Sequence, residues 1–284
     1  MGADPGFGPG AWPGPGDTDA ADESDPLAGS LFALESAVLN SSGAGGAQVS
    51  VREGLATRNA LAVAYCSAER FAEAADLLRD IVQRCVDRLG PDDPDTLAAA
   101  GNLGVTRAWM GLFAEAVPLL EHVVAARERV LGDEHIETLT ARDALAVTYR
   151  LAGQVPAAVG LHARVVEQRI RVLGPAHPDT LTSRCGLALA RIAGGSAGAA
   201  ANVLSAALVD AEEVPGPPSL STVVLRANLG RCLLQLDRPA SAQPLLARAL
   251  QDCTALLGAN HPDSVMLRGE LSRLEGQMNP DTPF

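Results

Sequence analysis

Apolar residues recur along this chain at intervals of three and four, which is the spacing of a helix with one buried face. A long stripe of this kind consists of Ala116, Leu119, Leu120, Val123, Val124, Val130 and Leu131. A shorter stripe before it consists of Leu97, Leu103, Gly104 and Ala108. Nowhere do polar and apolar residues alternate with the period of two that a half-buried strand requires. The pattern therefore predicts an all-α protein in which a shorter first helix is followed by a longer second helix.

This pair of stripes returns every 42 residues. The interval separates the glycines Gly90, Gly132, Gly174, Gly216 and Gly258. It also separates the leucines Leu61, Leu103, Leu145, Leu187 and Leu229. A fixed period of this length is typical of stacked repeats, in which each unit buries its apolar face against its neighbours. The period predicts five repeats, at about residues 55–90, 97–132, 139–174, 181–216 and 223–258.

Turn-forming residues lie where the helices of such repeats should end. Gly111 and Gly153 fall between the two helices of a copy, where a left-handed glycine ends a helix at little cost. Gly90 is expected to end the second helix of the first copy, and the prolines that follow it should keep the link out of helical conformation. Asp95 or Thr96 is then expected to cap the next first helix.

The residues of the third copy resemble the tetratricopeptide-repeat family, whose pattern is matched by Leu145, Ala146, Tyr149, Gly153 and Ala158. The longer period and the loop Leu173–Asp179, which contains His177-Pro178-Asp179, are similar to the extended kinesin-light-chain subtype. The resemblance spans residues 55–276. It implies a right-handed α-solenoid of stacked helix-turn-helix repeats, whose first helices line a concave groove that binds a peptide or protein partner.

The two ends of the chain differ from the repeats. Residues 1–26 are rich in Gly, Pro and Asp and carry six acidic and no basic residues, so we expect a disordered tail. The repeat solenoid is expected over residues 27–276. Within it, residues 27–39 should form a capping helix and residues 264–276 a terminal helix, because solenoids need their ends covered. Residues 277–284 are expected to form a second tail.

Composition excludes several classes of function. The net charge is −12, which argues against nucleic acid as a partner. Every one of the 22 basic residues is Arg, which points to a GC-rich, bacterial genome. Without Lys there is no P-loop and no Schiff-base chemistry. No apolar run is long enough to span a membrane. We therefore expect no catalytic residues, no small-molecule substrate and no membrane association.

Histidines and cysteines give no sign of a cofactor or metal. His135, His177 and His261 are repeat-equivalent loop residues and are interpreted as structural. No Cys-x-x-Cys pair occurs. The five cysteines are interpreted as small apolar fillers of a reducing, cytoplasmic compartment; they are Cys66, Cys85, Cys185, Cys232 and Cys253.

Arginines recur at one position near the start of the first helices and form a ladder of Arg58, Arg142, Arg184, Arg226 and Arg268. Two interpretations stay open. The ladder either pairs with loop carboxylates such as Asp92, Asp93, Asp179 or Asp263, or forms a row of donors for an acidic partner.

The family resemblance further implies which side chains face the groove. Those with the chemistry to hold a partner are Asn59, Asn102, Asp143, Arg150, Asn228 and Arg231. Arg150 and Arg231 break the repeat consensus.

These observations predict a non-enzymatic scaffold for protein–protein interaction, with homo-oligomerisation left open. The alternative is a detached sensor or regulatory arm of a signalling ATPase system of the NB-ARC type, because similar repeats form the carboxy-terminal arms of such ATPases.

Overall fold

The computed structural model describes residues 51–278, which form eleven α-helices and no strand. They are α1 (Val51–Ser67), α2 (Phe71–Leu89), α3 (Pro94–Trp109), α4 (Phe113–Leu131), α5 (Ile136–Leu151), α6 (Val155–Leu173), α7 (Pro178–Ala193), α8 (Ala197–Glu212), α9 (Leu220–Gln235), α10 (Pro239–Leu257) and α11 (Pro262–Met278). Odd-numbered helices are the first helices of the repeats and even-numbered helices the second. The predicted all-α repeat architecture is confirmed.

Predictions about the two ends concern mostly other residues. The predicted tail 1–26 and the predicted capping helix 27–39 lie outside the described residues, as do residues 279–284. The helix α11 spans the residues predicted as a terminal helix and continues through Met278. Gln277 and Met278, which the sequence placed in the second tail, therefore belong to this helix.

The helices group into two compact units, divided after Ala152. The first contains α1 to α5, in which each helix packs against the next and the first helices α1, α3 and α5 touch in succession. The second contains α6 to α11, in which consecutive helices again pack together and α7 touches α9. Within each unit this is the packing of stacked helix pairs, in which the apolar stripes lie mostly against a neighbouring helix. Val130, which the spacing placed in the stripe of α4, is instead 45% exposed.

Leucines of second helices lie directly on small residues of first helices. Leu120 lies so close to Gly104 that a Cβ atom on that glycine would come within 2.7 Å of the leucine Cγ. Leu246 and Gly230 repeat the arrangement in the second unit, where the corresponding distance is 2.8 Å. These contacts bring the helix axes close together and explain a core built of Ala, Leu and Val.

In the third copy a histidine replaces the leucine at this position of the second helix. His162 takes the repeat position that Leu120 occupies one period earlier, and its side chain is fully buried. Its ring lies against Gly186 of the next first helix, where a Cβ atom would come within 2.6 Å of the imidazole Cε1. The glycine is therefore matched to the bulk of the ring.

The turns within the second and third copies follow the prediction, since Gly111 and Gly153 adopt left-handed φ angles of 75° and 76°. In the first and fifth copies Glu69 and Asp237 take this position, with φ angles of 55° and 54°. The predicted caps, however, are wrong. The first helix of the second copy begins at Pro94, and its cap is Asp93, whose carboxylate accepts from the Asp95 backbone N–H at 3.0 Å. Proline is compatible with the first helical position because the N–H group it lacks has no partner there.

The recurring threonine has a different role from capping. Thr96 Oγ1 donates to the backbone carbonyl of Gly90 at 2.7 Å, and Ser264 donates to the equivalent Gly258 carbonyl at 2.8 Å. Each of these hydrogen bonds joins the end of one second helix to the start of the next first helix. The bond accounts for Thr96 and Ser264, whereas the Oγ1 atoms of Thr138 and Thr180, at the same repeat position, are buried without a hydrogen-bond partner.

The recurring loop histidines are the caps of later copies. His177 Nδ1 accepts from the Asp179 backbone N–H at 3.2 Å, and His261 Nδ1 accepts from Asp263 at 3.3 Å. His135 does the same for Glu137 at 3.2 Å. These histidines therefore perform the task of Asp93 with an imidazole nitrogen.

We expect His177→Ala to destabilise the protein by about 1 kcal/mol, because an N-cap acceptor is worth roughly 0.5–2 kcal/mol. His177→Asp should retain the stability of the wild type, since Asp93 caps the equivalent helix. Urea denaturation of the two variants, followed by circular dichroism, measures both effects. Equal midpoints for His177→Ala and the wild type would show that the cap is not used.

Candidate partner-binding surface

In the first unit, two half-buried asparagines connect neighbouring first helices. Asn102 Nδ2 of α3 donates to Asn59 Oδ1 of α1 at 3.1 Å. This bond uses one of the two polar groups of each amide. Among the described residues, the side-chain NH₂ group of Asn59 and the side-chain Oδ1 of Asn102 have no further hydrogen bond, so the pair presents a donor group and an acceptor atom side by side.

Apolar and charged side chains accompany this pair. Val63 and Val105 are half-buried on the same two helices. On α5, the predicted residues Asp143 and Arg150 are also half-buried. The first-helix face of this unit is thus partly accessible to solvent and carries apolar, polar and charged side chains.

Next to Arg150, Tyr149 is tied to the second helix α4. Its hydroxyl group donates to Glu121 Oε1 at 2.6 Å. Burial, the hydrogen bond and the charge of Glu121 together raise the pKa of Tyr149 to about 12, so the hydroxyl stays a donor at neutral pH. This contact fixes the end of α5.

In the second unit, the predicted residues Asn228 and Arg231 form one polar cluster with α11. Asn228 is only 3% exposed, and its Oδ1 accepts from Arg231 Nη1 at 3.5 Å. Arg231 also donates to Glu270 Oε1, from Nη2 at 2.9 Å and from Nε at 3.1 Å. Glu270 was not among the predicted groove residues, although it occupies the repeat position of Asn228 and the 42-residue register indicates it.

The second unit also has an open depression of about 260 Å³ between the N-terminal halves of α7 and α9. Its lining is mostly apolar and consists of Pro178, Asp179, Leu181, Thr182, Cys185, Leu220, Ser221 and Val224. This depression adjoins the copy whose loop, Pro215-Gly216-Pro217-Pro218, departs most from the repeat.

The arginine ladder is bonded within the chain. Arg142 is 2% exposed and donates to Glu128 Oε1 at 2.9 and 2.7 Å, to the Asp133 carbonyl at 2.9 Å and to the Asp133 carboxylate. Burial alone would lower the pKa of Arg142, but the hydrogen bonds to Asp133 and Glu128 outweigh it and raise that pKa. This guanidinium group is therefore a fixed positive charge.

The other ladder residues have comparable contacts. Arg226 pairs with Glu212 at 2.7 Å and with Asp252. The remaining bonds join Arg58 to Asp80, Arg184 to Asp210, and Arg268 to the Ala259 carbonyl. Most of these acids lie on second helices and were not among the loop carboxylates that the sequence suggested; Asp92, for example, pairs with Arg129. A role of the ladder as donors for an acidic partner stays a prediction.

Sequence reasoning missed two buried arginines on second helices. Arg127 Nη1 donates to the Glu137 carbonyl at 2.8 Å, and Arg169 Nη1 donates to the Asp179 carbonyl at 2.7 Å. Burial lowers the pKa of Arg127, and the charge of Glu137 opposes that shift. The sequence did indicate these two residues, because they are charged at a repeat position that is otherwise Cys or Ala. In chain order this position holds Cys85, Arg127, Arg169, Ala211 and Cys253.

None of the five cysteines forms a disulfide, and four of them are buried. Burial raises the pKa of the Cys85, Cys232 and Cys253 thiols. In residues 51–278 no three His, Cys, Asp or Glu side chains are grouped closely enough to hold a metal ion. Over the same residues no helix has the length and apolarity needed to cross a membrane.

We expect Arg142→Ala to lower the free energy of unfolding by about 2–4 kcal/mol, because it removes several charge-assisted hydrogen bonds and leaves a cavity. This loss of stability should be smaller than the loss on breaking a fully buried ion pair, because the side chains of Glu128 and Asp133 are 40% and 59% exposed and can be hydrated. Arg129→Ala, which breaks the exposed pair with Asp92, is the matched control and should cost less than about 1 kcal/mol. Similar urea midpoints for the two variants would contradict a structural role of Arg142.

We expect thiol alkylation to follow burial. Cys66, the half-buried cysteine, should react first, whereas Cys85, Cys232 and Cys253 should react only after denaturation, because burial blocks access of the reagent to them. Burial raises the pKa of the Cys66 thiol as well, so the difference in rate should come from access and not from the fraction of thiolate. Mass spectrometry of partially alkylated protein identifies the sites. Rapid native labelling of Cys253 would contradict the buried packing.

Comparisons with known proteins agree with this architecture. Sequence profiles of the tetratricopeptide repeat match residues 95–169 and, in a second form, residues 55–95 and 222–263. The crystal structure of a Podosopora anserina putative kinesin light chain with nearly identical TPR-like repeats is 28% identical, with a TM-score of 0.61 over 72% of this chain and 96% of that chain.

Two further solved structures share the fold at lower identity. BtubC (BKLC) from P. vanneervenii is 15% identical, with a TM-score of 0.64 over 92% of this chain and 95% of that chain. A thermophilic TPR protein of Thermus thermophilus is 18% identical, with a TM-score of 0.55 over 78% and 98% of the two chains. Curated proteins gave no match. The repeat profiles and the kinesin-light-chain-like structures together show that the chain belongs to the tetratricopeptide-repeat family.

Proposed function

We propose that this chain is a non-enzymatic scaffold that holds a peptide or protein partner on the first-helix face of its repeats. Tetratricopeptide repeats generally serve as scaffolds for protein–protein interaction. The proposal adds the face and the residues that would make the contact.

The amide pair Asn59–Asn102 is the observation that carries the proposal. An extended peptide offers a backbone carbonyl and a backbone N–H group at each residue. The pair offers the complementary NH₂ group of Asn59 and carbonyl oxygen of Asn102, on half-buried side chains of two touching helices. Because each amide already has one bond within the pair, its orientation is restricted before a partner arrives.

Comparison of equivalent positions in the repeats distinguishes residues that the fold requires from residues that are available to bind a partner. The position of Asn59 holds a different residue in nearly every later copy: Gly101, Asp143, Cys185, Ala227 and Gly269. The position of Leu103 is leucine in every copy. A position that changes from copy to copy while the helix pair stays the same is not required by the fold, and it is available to select a partner.

Apolar contacts would supply the remaining affinity. Val63 and Val105 flank the amide pair in the first unit. In the second unit, the depression between α7 and α9 offers a separate apolar contact. A backbone-directed amide pair combined with shallow apolar contacts suits a protein segment better than a small polar molecule, which would need an enclosed site.

We expect the double variant Asn59→Ala/Asn102→Ala to bind a purified partner about tenfold more weakly, because two hydrogen bonds of about 0.5–1.5 kcal/mol each are lost. The partner is first obtained by affinity capture with the wild-type chain and then measured by titration calorimetry. Gln83→Ala on the second helix α2 is the matched control, since it also removes an exposed amide. It should bind like the wild type.

The outcome separates the two functions considered. Loss of affinity in the double variant with an unchanged melting temperature supports recognition by the first-helix face. Equal affinities of the double variant and the control would overturn it. An ATPase as the captured partner, bound in a nucleotide-dependent manner, would favour the alternative of a regulatory arm acting on a signalling ATPase.

A further inference from the structure

The accessible side of the first helix α3 carries short side chains. Between residues 96 and 106, the half-buried residues are Ala98, Gly101, Asn102 and Val105, and the others are buried. Their spacing of i, i+3, i+4 and i+7 places the four on one face of the helix. We call them the α3 strip. Asn102 is its one polar residue, so the amide of the proposed binding face stands among small neighbours.

The packing of the helices does not require glycine at position 101. Beyond its own helix backbone, a Cβ atom there would have one neighbour within 4 Å, which is Val123 Cγ1 at 3.8 Å, an ordinary van der Waals distance. Three residues later, a Cβ atom on Gly104 would come within 2.7 Å of the Leu120 Cγ. Gly104 is therefore needed for the contact with the second helix, whereas Gly101 is not.

The other copies show that a side chain fits at this position. Its equivalents in the first, third, fourth, fifth and last first helices are Asn59, Asp143, Cys185, Ala227 and Gly269. Cys185 and Ala227 are even buried there, at 5% and 0% exposure. Glycine is also an unfavourable residue inside a helix, because it loses more conformational freedom than alanine does. Gly101 thus lowers the stability of α3 with no gain in packing.

The missing Cβ atom leaves space for another backbone beside Asn102. A hydrogen bond to Asn102 Oδ1 requires a donor nitrogen within about 2.7–3.2 Å of that oxygen. Because the asparagine side chain is short, such a donor also lies close to the surface of α3. Glycine is the residue that permits this kind of close approach. Any side chain at position 101 would occupy part of the same space.

We propose that Gly101 is a specificity-determining residue that admits the main chain of an extended partner segment to the amide pair Asn59–Asn102. This inference rests on the proposed function and adds a requirement on the partner. The segment donates a backbone N–H group to Asn102 Oδ1 where it crosses the α3 strip. At this crossing it carries glycine or alanine, since a longer side chain between the two backbones would hold them apart.

Peptides selected on the full chain provide the probe. A random peptide library displayed on phage is panned against the wild type, and the enriched peptide is synthesised and titrated by calorimetry. We expect the enriched peptides to share one position that is glycine or alanine. A selection without enrichment, or enriched peptides that share no such position, would overturn the proposal.

Gly101→Ala is the decisive variant, because it should change stability and affinity in opposite directions. Alanine is the better helix former, and its Cβ atom gains the contact with Val123, so the urea midpoint should rise. The enriched peptide should bind about tenfold more weakly, since the added methyl group keeps its main chain away from Asn102. A purely structural role of Gly101 would instead lower the midpoint and leave the affinity of the folded chain unchanged.

Gly160→Ala is the matched control. Gly160 is an exposed glycine inside the second helix α6, and a Cβ atom on it would meet nothing within 4 Å. This variant should also raise the urea midpoint, but it should bind the peptide like the wild type. Wild-type affinity of Gly101→Ala, or an equal loss of affinity in Gly160→Ala, would contradict the role of Gly101.

N-methylation of the peptide tests the main-chain contact directly. A methyl group placed on one backbone nitrogen at a time removes one N–H donor and leaves every side chain in place. At the crossing position it should weaken binding to the wild type about tenfold. It should weaken binding to Asn102→Ala much less, because the acceptor is already absent. Equal losses with the two chains at every position would overturn the main-chain contact.

The same titrations distinguish a failure of this inference from a failure of the proposed function. If Asn59→Ala/Asn102→Ala binds the peptide more weakly and Gly101→Ala does not, the proposed function stands and the role of Gly101 is wrong. If the amide variant binds like the wild type, the proposed function itself is wrong.

Discussion

The close packing of a second-helix leucine on a small residue of a first helix sets the spacing within the repeats. Where Leu120 meets Gly104 and Leu246 meets Gly230, there is no room for a side-chain carbon on the glycine. Close helix axes let short side chains fill the core, which is why alanine is so frequent and aromatic residues are not needed inside. This spacing between helices also determines the distances across the junctions between repeats, the ion pairs of the ladder and the accessible first-helix face.

Much of this architecture could be predicted from the sequence, because stacked repeats show the same pattern several times. The helices followed from the spacing of apolar residues, the turns from Gly111 and Gly153, and the order of elements from the 42-residue period. The caps were predicted wrongly, because proline both breaks helices and begins them. Only the position of the hydrogen-bond acceptor, on Asp93 or His177, distinguishes the two situations.

Contacts between distant residues were less accessible to sequence reasoning. The ladder partners Asp210 and Asp252 lie 26 residues after their arginines, a separation that no local pattern indicates. Position 231 broke the repeat and was assigned to a partner, but the structure pairs Arg231 with Glu270 of the next first helix. The amide pair also required the structure, because Asn59 and Asn102 are 43 residues apart and so occupy different repeat positions.

The buried arginine of the third copy has a consequence for how such chains can be rearranged. Arg169 donates both to the Asp179 carbonyl and to the Ser183 hydroxyl group at 2.8 Å, whereas the position of Ser183 is Leu225 in the following copy. A cassette cut at the recurring glycine Gly174 would separate the guanidinium group of Arg169 from its hydroxyl partner Ser183. The unit of this chain that can be exchanged intact is therefore the junction, which runs from the middle of one second helix to the end of the next first helix. Recombination between such chains should preserve these contacts when the crossover lies inside a helix and not at the glycines.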